Sequence, residues 1–260
     1  MKKIILQHVV LLFVSLLLLT SCLGEGRNVN SGTTFGIVRT DLKSGRVLLD
    51  ISEVESIYNS RFGYAYDDDC YLVSFEIDFD LPENSYANYE TNGYYFVSLL
   101  ADPIKVPKGG VNSYLAKDTS KVMTNEVAIY SPTWDGSFSY LKGKMFLIST
   151  VQNYTDKQMN WYLSYDMDNA QQDIYGERYY NLFLRATLIP DSSTDEKKGF
   201  YNVFEMEEFL EDVAKTEKEI GGSSFKLRFN YPSKIEDGII TWESQNSTNP
   251  IYVQDILPEK

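Results

Sequence analysis

The chain has 260 residues, enough for one large domain or two small ones. Hydrophobic residues make up 43% and aromatics 14%, which supports a packed core and argues against disorder. Asp and Glu total 37 against 24 Lys and Arg, a net charge of -13. That balance excludes a nucleic-acid binder, which needs cations to displace phosphate counterions.

Met1-Lys2-Lys3 forms a positive start, and Val9–Leu19 is an apolar run broken only by Ser15. The run is 11 residues long, suited to a signal segment and short for a bilayer span. Leu19-Thr20-Ser21-Cys22 follows and resembles a bacterial lipobox. The resemblance implies a signal peptide over 1–21, cleavage before Cys22, and lipid on the Cys22 sulfur and new amino group. Buried acyl chains contribute ~0.8 kcal/mol per methylene, so several of them hold a protein on a membrane durably.

Cleavage removes Lys2, Lys3 and His8, so the mature charge is -15 and no histidine remains. A Ser-His-Asp triad, a Cys-His pair and an imidazole metal site are then excluded. With Cys22 lipidated, Cys70 stands alone, which excludes an intramolecular disulfide and a cysteine zinc site. Residue 23 is Leu, not the Asp that favours inner-membrane retention in such lipoproteins, so the outer membrane is the expected address. Residues 22–34, polar and rich in Gly, Ser and Asn, read as a flexible tether.

Beyond the tether the pattern is strand after strand. Phe35–Thr40 and Arg46–Ile51 predict a hairpin. In Cys70–Asp80, Tyr71, Val73, Phe75, Ile77 and Phe79 alternate with polar neighbours, giving one buried and one wet face. Gly93–Leu100 predicts another strand, stopped by Asp102-Pro103. A Pro- and Gly-bearing stretch, Pro103–Asn112, marks a boundary, so one domain is expected over 35–112 and a second over 113–260. In the second, strands are predicted at Glu126–Tyr130, Lys144–Val151, Asn160–Tyr165, Arg178–Ile189, Ser224–Tyr231, Gly238–Trp242 and Ile251–Ile256. Strands at this spacing suggest antiparallel sheets packed as a sandwich. One amphipathic helix is expected over Asn202–Ile220, with Asn202 as N-cap and Met206, Phe209, Leu210 and Val213 closing an end of the sandwich.

With the lipobox, tether and two all-β halves in place, the chain resembles the NigD-like lipoproteins of Bacteroidetes. The resemblance rests on YLVSFEIDFD and GYYFVSLLADPIKVPKG in the first half, and on TNEVAIYSPTW, KMFLISTVQN and RYYNLFLRATLI in the second. It implies an N-terminal OB-like barrel followed by a C-terminal β-sandwich. It implies no catalytic residue and no cofactor, and Cys22 is the one functional residue that carries over.

Several residue groups carry side chains capable of chemistry. Asp67-Asp68-Asp69 reads as a solvated turn, with a cation-binding loop as the alternative. Asp166, Asp168, Asp173 and Glu177 have partial calcium-loop spacing, but Gln171 stands where the loop needs Gly. Glu76, Asp78 and Asp80 share one strand face, ~6.6 Å apart in steps of two, within reach of glycosidase carboxylate spacing. Alternation places them on the wet face, where no carboxyl gains a raised pKa. Tyr58, Tyr64, Tyr66, Tyr86, Tyr89, Trp134 and Trp161 fall in loops, turns and strand starts, and read as plugs of strand ends or as a glycan-stacking surface. Cys70 follows an acidic run and reads as an inert thiol. Asn153 and Asn246 match a glycosylation pattern that has no meaning beside a lipobox.

The expectation is an all-β, lipid-anchored envelope protein without enzyme activity, cofactor or metal, which holds an envelope protein or glycan. A carboxylate-dependent glycan hydrolase and a calcium-stabilised adhesin are the alternatives.

Overall fold

The computed structural model describes residues 27–112, 119–152, 157–167, 171–192 and 200–258. The leader, Cys22, Asn153 and Asp168 lie outside them.

The first strand starts earlier than its alternation suggests. β1 runs Val29–Thr40 and pairs with β4 (Cys70–Asp78) from Val29 opposite Asp78 to Ile37 opposite Cys70. Its last four residues pair with β2 (Val47–Asp50), the expected hairpin. The tether expected over 22–34 is therefore strand from Val29 onward. Residues 29–33 are exposed, so they are held by the backbone ladder and leave no alternating pattern to read.

Four short strands complete the first sheet: β3 (Ser56–Tyr58), β5 (Tyr95–Phe96), β6 (Ser98–Leu99) and β7 (Ile104–Val106). The order is β5-β3-β2-β1-β4-β6, with β7 also on β4. The expected OB-like barrel is not closed by strand pairing; the path stays open. Its two end strands are pieces of one segment parted at Val97, so the sheet curls until one piece lies on β3 and the other on β4. The single strand predicted over 93–100 is thus two. Val73, Phe75 and Ile77 point inward as their alternation requires, joining Val38, Leu49, Ile57, Phe62 and Val97 in the core. A short helix, α1 (Tyr86–Asn92), follows a 3-10 turn between β4 and β5.

The second half is a sandwich. One sheet has the order β10 (Ile129–Ser131), β12 (Lys144–Val151), β11 (Ser139–Leu141), with β16 (Phe200–Glu205) also on β12. The other has the order β18 (Ile239–Asn246), β17 (Ser224–Glu236), β15 (Glu177–Leu188), β13 (Met159–Ser164), β8 (Gly110–Asn112). β9 (Glu126–Val127) and β14 (Gln171–Ile174) add to β15, and β19 (Ile251–Tyr252) adds to β17. Met145 and Leu147 of the first sheet pack with Trp161, Leu163, Leu182, Leu184, Leu227 and Phe229 of the second.

The sheets are not wholly antiparallel as expected: β15 runs parallel to β17, and β13 to β8. Parallel neighbours need a long crossover rather than a hairpin. Here the chain between β15 and β17 includes β16 and the helix α2 (Glu207–Glu219).

That helix begins five residues later than predicted. Asn202 does not cap it; it is buried in β16 opposite Leu147, and Met206 takes the cap position without a side-chain bond. Phe200–Phe204 are aromatic and β-branched around Asn202, so sheet pairing outcompetes the capping-box spacing. Phe209, Leu210 and Val213 are buried as the helical spacing requires.

The boundary also moves. β8 belongs to the second half and β7 to the first, so the crossing falls at Pro107–Gly109 rather than after Asn112. A Cβ on Gly109 would stand 2.2 Å from the Phe204 ring, so only glycine lets the link pass this close. The halves share a core in which Phe35, Ile37, Cys70 and Val106 meet Leu141, Phe146 and Val203. Phe35 stacks on Phe146 with ring centroids 4.8 Å apart.

Deep in the second half, Arg185 on β15 meets Glu126 on β9 through two bonds of 2.6 Å each. Both side chains are almost fully buried. Arg185 also donates to the Lys121 carbonyl and lies over the Trp242 ring, so its charge is compensated on every side the fold offers.

Candidate functional site

The turn before β4 places Asp67, Asp68 and Asp69 against the second half. None is left as a free carboxylate. Thr40 donates to Asp67, Lys105 pairs with Asp69 at 2.8 Å, and Asp68 pairs with Lys108 and with Lys144 at 2.8 Å. Lys144 also bonds Glu205. The run is an exposed turn, as expected, but its carboxylates are bonded: Asp67 and Asp69 within the first half, and Asp68 across to Lys144 of the second. Among the described residues no group of three or more His, Cys, Asp or Glu could hold a metal.

A second junction sits on β2. Asp50 is buried and accepts from Arg39 at 2.8 Å, Ser56 at 2.6 Å and Lys142 of the second half at 2.6 Å. Burial pushes the Asp50 carboxyl up, but the bonds from Lys142, Ser56 and Arg39 outweigh it and hold it below the usual range. Asp68 and Asp69 are held low in the same way: burial opposes, while Lys108 and Lys144, or Lys105, prevail.

Lys105 and Lys108 also line a cleft of about 490 Å³ where the halves meet. The link supplies Lys105, Pro107, Lys108 and two glycines, β13 with its approach supplies Gln158–Tyr162, and β16 supplies Phe200, Tyr201 and Asn202. The wall is aromatic and amide, and the lining contains no carboxylate and no thiol. The exposed Gln158 and Asn160 carry both donors and acceptors, and the half-buried Tyr162 and Tyr201 offer ring surface, while Asn202 and Trp161 are buried behind them.

Of the aromatics singled out in the sequence, the structure brings only Trp161 to this cleft, and its side chain is mostly buried. Tyr58 packs instead against Arg46, whose guanidinium lies 4.8 Å from the ring. Tyr89 stacks on Tyr95 at 4.2 Å. Tyr64, Tyr66, Tyr86 and Trp134 are exposed and scattered over other surfaces. Trp134 sits at the tip of a tight turn through Asp135 and Gly136, both with left-handed backbone.

The other acidic groups are absorbed by pairing. Arg27 bridges Glu76 at 3.2 Å and Asp78 at 2.7 Å, and Asp80 accepts from the Asn28 backbone at 3.0 Å. Those carboxylates clamp the start of β1 and face no groove partner. Asp173 and Glu177 lie on opposite sides of the β14–β15 hairpin, and Glu177 pairs with Lys226 at 2.8 Å. The Cys70 thiol is buried, and burial pushes its pKa up to about 11. Its inertness thus has desolvation as its main cause, and the acidic run expected to supply it contributes less.

Comparison with known proteins agrees with this architecture. Residues 26–103 match the family model described as "Lipoprotein OB domain". The first half is therefore similar to the OB domain of such lipoproteins. An uncharacterized protein from Parabacteroides merdae has the same fold, with a TM-score of 0.69 at 20% identity over 85% of this chain and 99% of that one. A putative lipoprotein from Bacteroides fragilis matches with a TM-score of 0.53 at 11% identity over 84% and 97%. A NigD-like immunity protein from Bacteroides caccae matches with a TM-score of 0.44 at 15% identity over 83% and 92%. No curated protein matches the sequence.

The junction carboxyls predict acid sensitivity with a definite sign. A carboxyl held low in the folded state contributes stability that is in place above its unfolded pKa, near 4, and is lost as the pH falls through the lower folded value. Denaturant unfolding from about pH 5 to about pH 2 should show a steep loss in the native chain and a shallower one in the Asp50→Asn/Asp68→Asn variant. Equal slopes would mean that these carboxyls carry no linkage.

Proposed function

We propose that the protein is a lipid-anchored module of the bacterial cell envelope that binds a ligand without transforming it. Three features support the anchor: the positive start and apolar run, the small residues before Cys22, and the similarity of the first half to a lipoprotein OB domain. Lipid on Cys22 would tie the first half to the membrane through the few residues before β1. Leu23 favours the outer membrane. Intact-mass measurement of the protein from its natural host's envelope should find an amino-terminal Cys22 bearing acyl chains. A retained leader or an unmodified sulfur overturns the anchor.

The observation that carries the binding reading is the lining of the cleft between the halves. Ring faces and amide groups side by side suit a sugar chain, whose C–H faces stack on aromatics and whose hydroxyls need paired donors and acceptors. Lys105 and Lys108 are already matched by Asp69 and Asp68, so the cleft is close to neutral within an acidic protein. A neutral saccharide fits this better than a strongly charged ligand. Glycoside hydrolysis commonly needs two carboxylates across the bond, and none lines the cleft. This supports binding over cleavage.

Calorimetric titration of the mature chain with neutral envelope oligosaccharides should give saturable heat. Tyr162→Ala and Asn160→Ala should each weaken binding about ten-fold, or ~1.4 kcal/mol, with unfolding midpoints near that of the parent. Absence of binding across the series, or affinity unchanged in both variants, removes the cleft as the receptor site.

A further inference from the structure

The first strand carries an edge that the fold leaves open. In the antiparallel ladder with β4, the hydrogen-bonded partners on β1 are its even-numbered residues: Val38 exchanges bonds with residues 68 and 69, and Asn28 continues the series with Phe79. The odd residues turn their N–H and C=O groups the other way. From Ile37 to Thr40 that other side is covered by β2. From Val29 to Thr33 no strand pairs with it among the described residues, and these five residues are exposed. The backbone groups of Ser31 and Thr33 thus form a short open edge.

Gly32 lies between Ser31 and Thr33 on this edge. Its ladder is in register on both sides, so it marks no bulge. A Cβ there would meet nothing within 4 Å, and its φ is not in the left-handed region. The fold of the single chain therefore does not require glycine at 32, although glycine weakens a strand interior. Glycine inside a strand marks a bulge, a tight bend or the close approach of a ligand or another backbone, and the ladder here has no bulge. Open edges are commonly blunted by Lys, by Pro or by a bulge. Val29–Thr34 (VNSGTT) has none of these.

We propose that this edge pairs with the same edge of a second copy, antiparallel about Gly32. Ser31 then exchanges backbone bonds with Thr33 of the other copy, and the two glycines face each other without side chains. Hydroxyl stands opposite hydroxyl, a favourable cross-strand pairing. The strip is uncharged, so two molecules of large negative charge meet where repulsion between side chains is least. So short a ladder buries little surface, so the association is weak in dilute solution and gains from confinement to a shared membrane.

Amide exchange by NMR together with sedimentation tests this on the mature chain. The amides of Ser31 and Thr33 should gain protection as protein concentration rises, while those of Asn30, Gly32 and Thr34 stay protected throughout. The mean mass should climb toward twice the monomer over the same range. Ser31→Pro removes only an outward donor and spares the β4 ladder, so it should abolish both effects with the unfolding midpoint retained. Gly32→Thr should abolish the association while leaving the chain folded. Ser31 and Thr33 amides that exchange freely at every concentration, or that are protected in a monomer, overturn the proposal. So does self-association that survives Ser31→Pro.

Discussion

Lys144 sits at the start of β12 with its side chain only 6% exposed. An ammonium group taken out of water to that extent is costly unless it is paired and bonded. Its partners come from both halves: Asp68 from the turn before β4, and Glu205 from the end of β16. Burial lowers the Lys144 pKa, but the two carboxylates outweigh it and keep the group charged. Neither half alone completes this arrangement. The same face carries the stacked Phe35–Phe146 pair and the buried Cys70, so charge and apolar packing lock the two units in one orientation. The cleft depends on that lock, since its walls come from the link, from β13 and from β16.

Much of the fold was legible where one face of an element is buried and the other wet. The alternation in β4 named its inward residues, and the spacing of Phe209, Leu210 and Val213 named the buried stripe of α2. Legibility failed where that contrast is absent. Residues 29–33 are exposed, so a strand looked like a tether. Asn202 and Glu205 imitated a cap because spacing along the chain does not reveal that the segment pairs with β12. The parallel pairing of β15 with β17 leaves no local trace, being set by the route of the crossover.

The candidate site was nearly invisible in the sequence for a related reason. Its residues come from positions near 105, 160 and 200, with no motif joining them. The acidic runs drew attention because carboxylates close in sequence are easy to see. Folding brings lysines to Asp68 and Asp69 and an arginine to Glu76 and Asp78. Asp67–Asp69 and Glu76–Asp80 thus serve as fasteners, one between the halves and one at the start of β1. The cleft gains its near-neutral lining from this pairing, because each lysine at its mouth arrives already matched.

The halves are coupled through Lys144 and its carboxylates. A double-mutant cycle on unfolding free energy, with Asp68→Ala, Lys144→Ala and both together, measures this coupling most directly. The account predicts an interaction energy of about 1–3 kcal/mol between the two positions. Additivity within about 0.5 kcal/mol would contradict it.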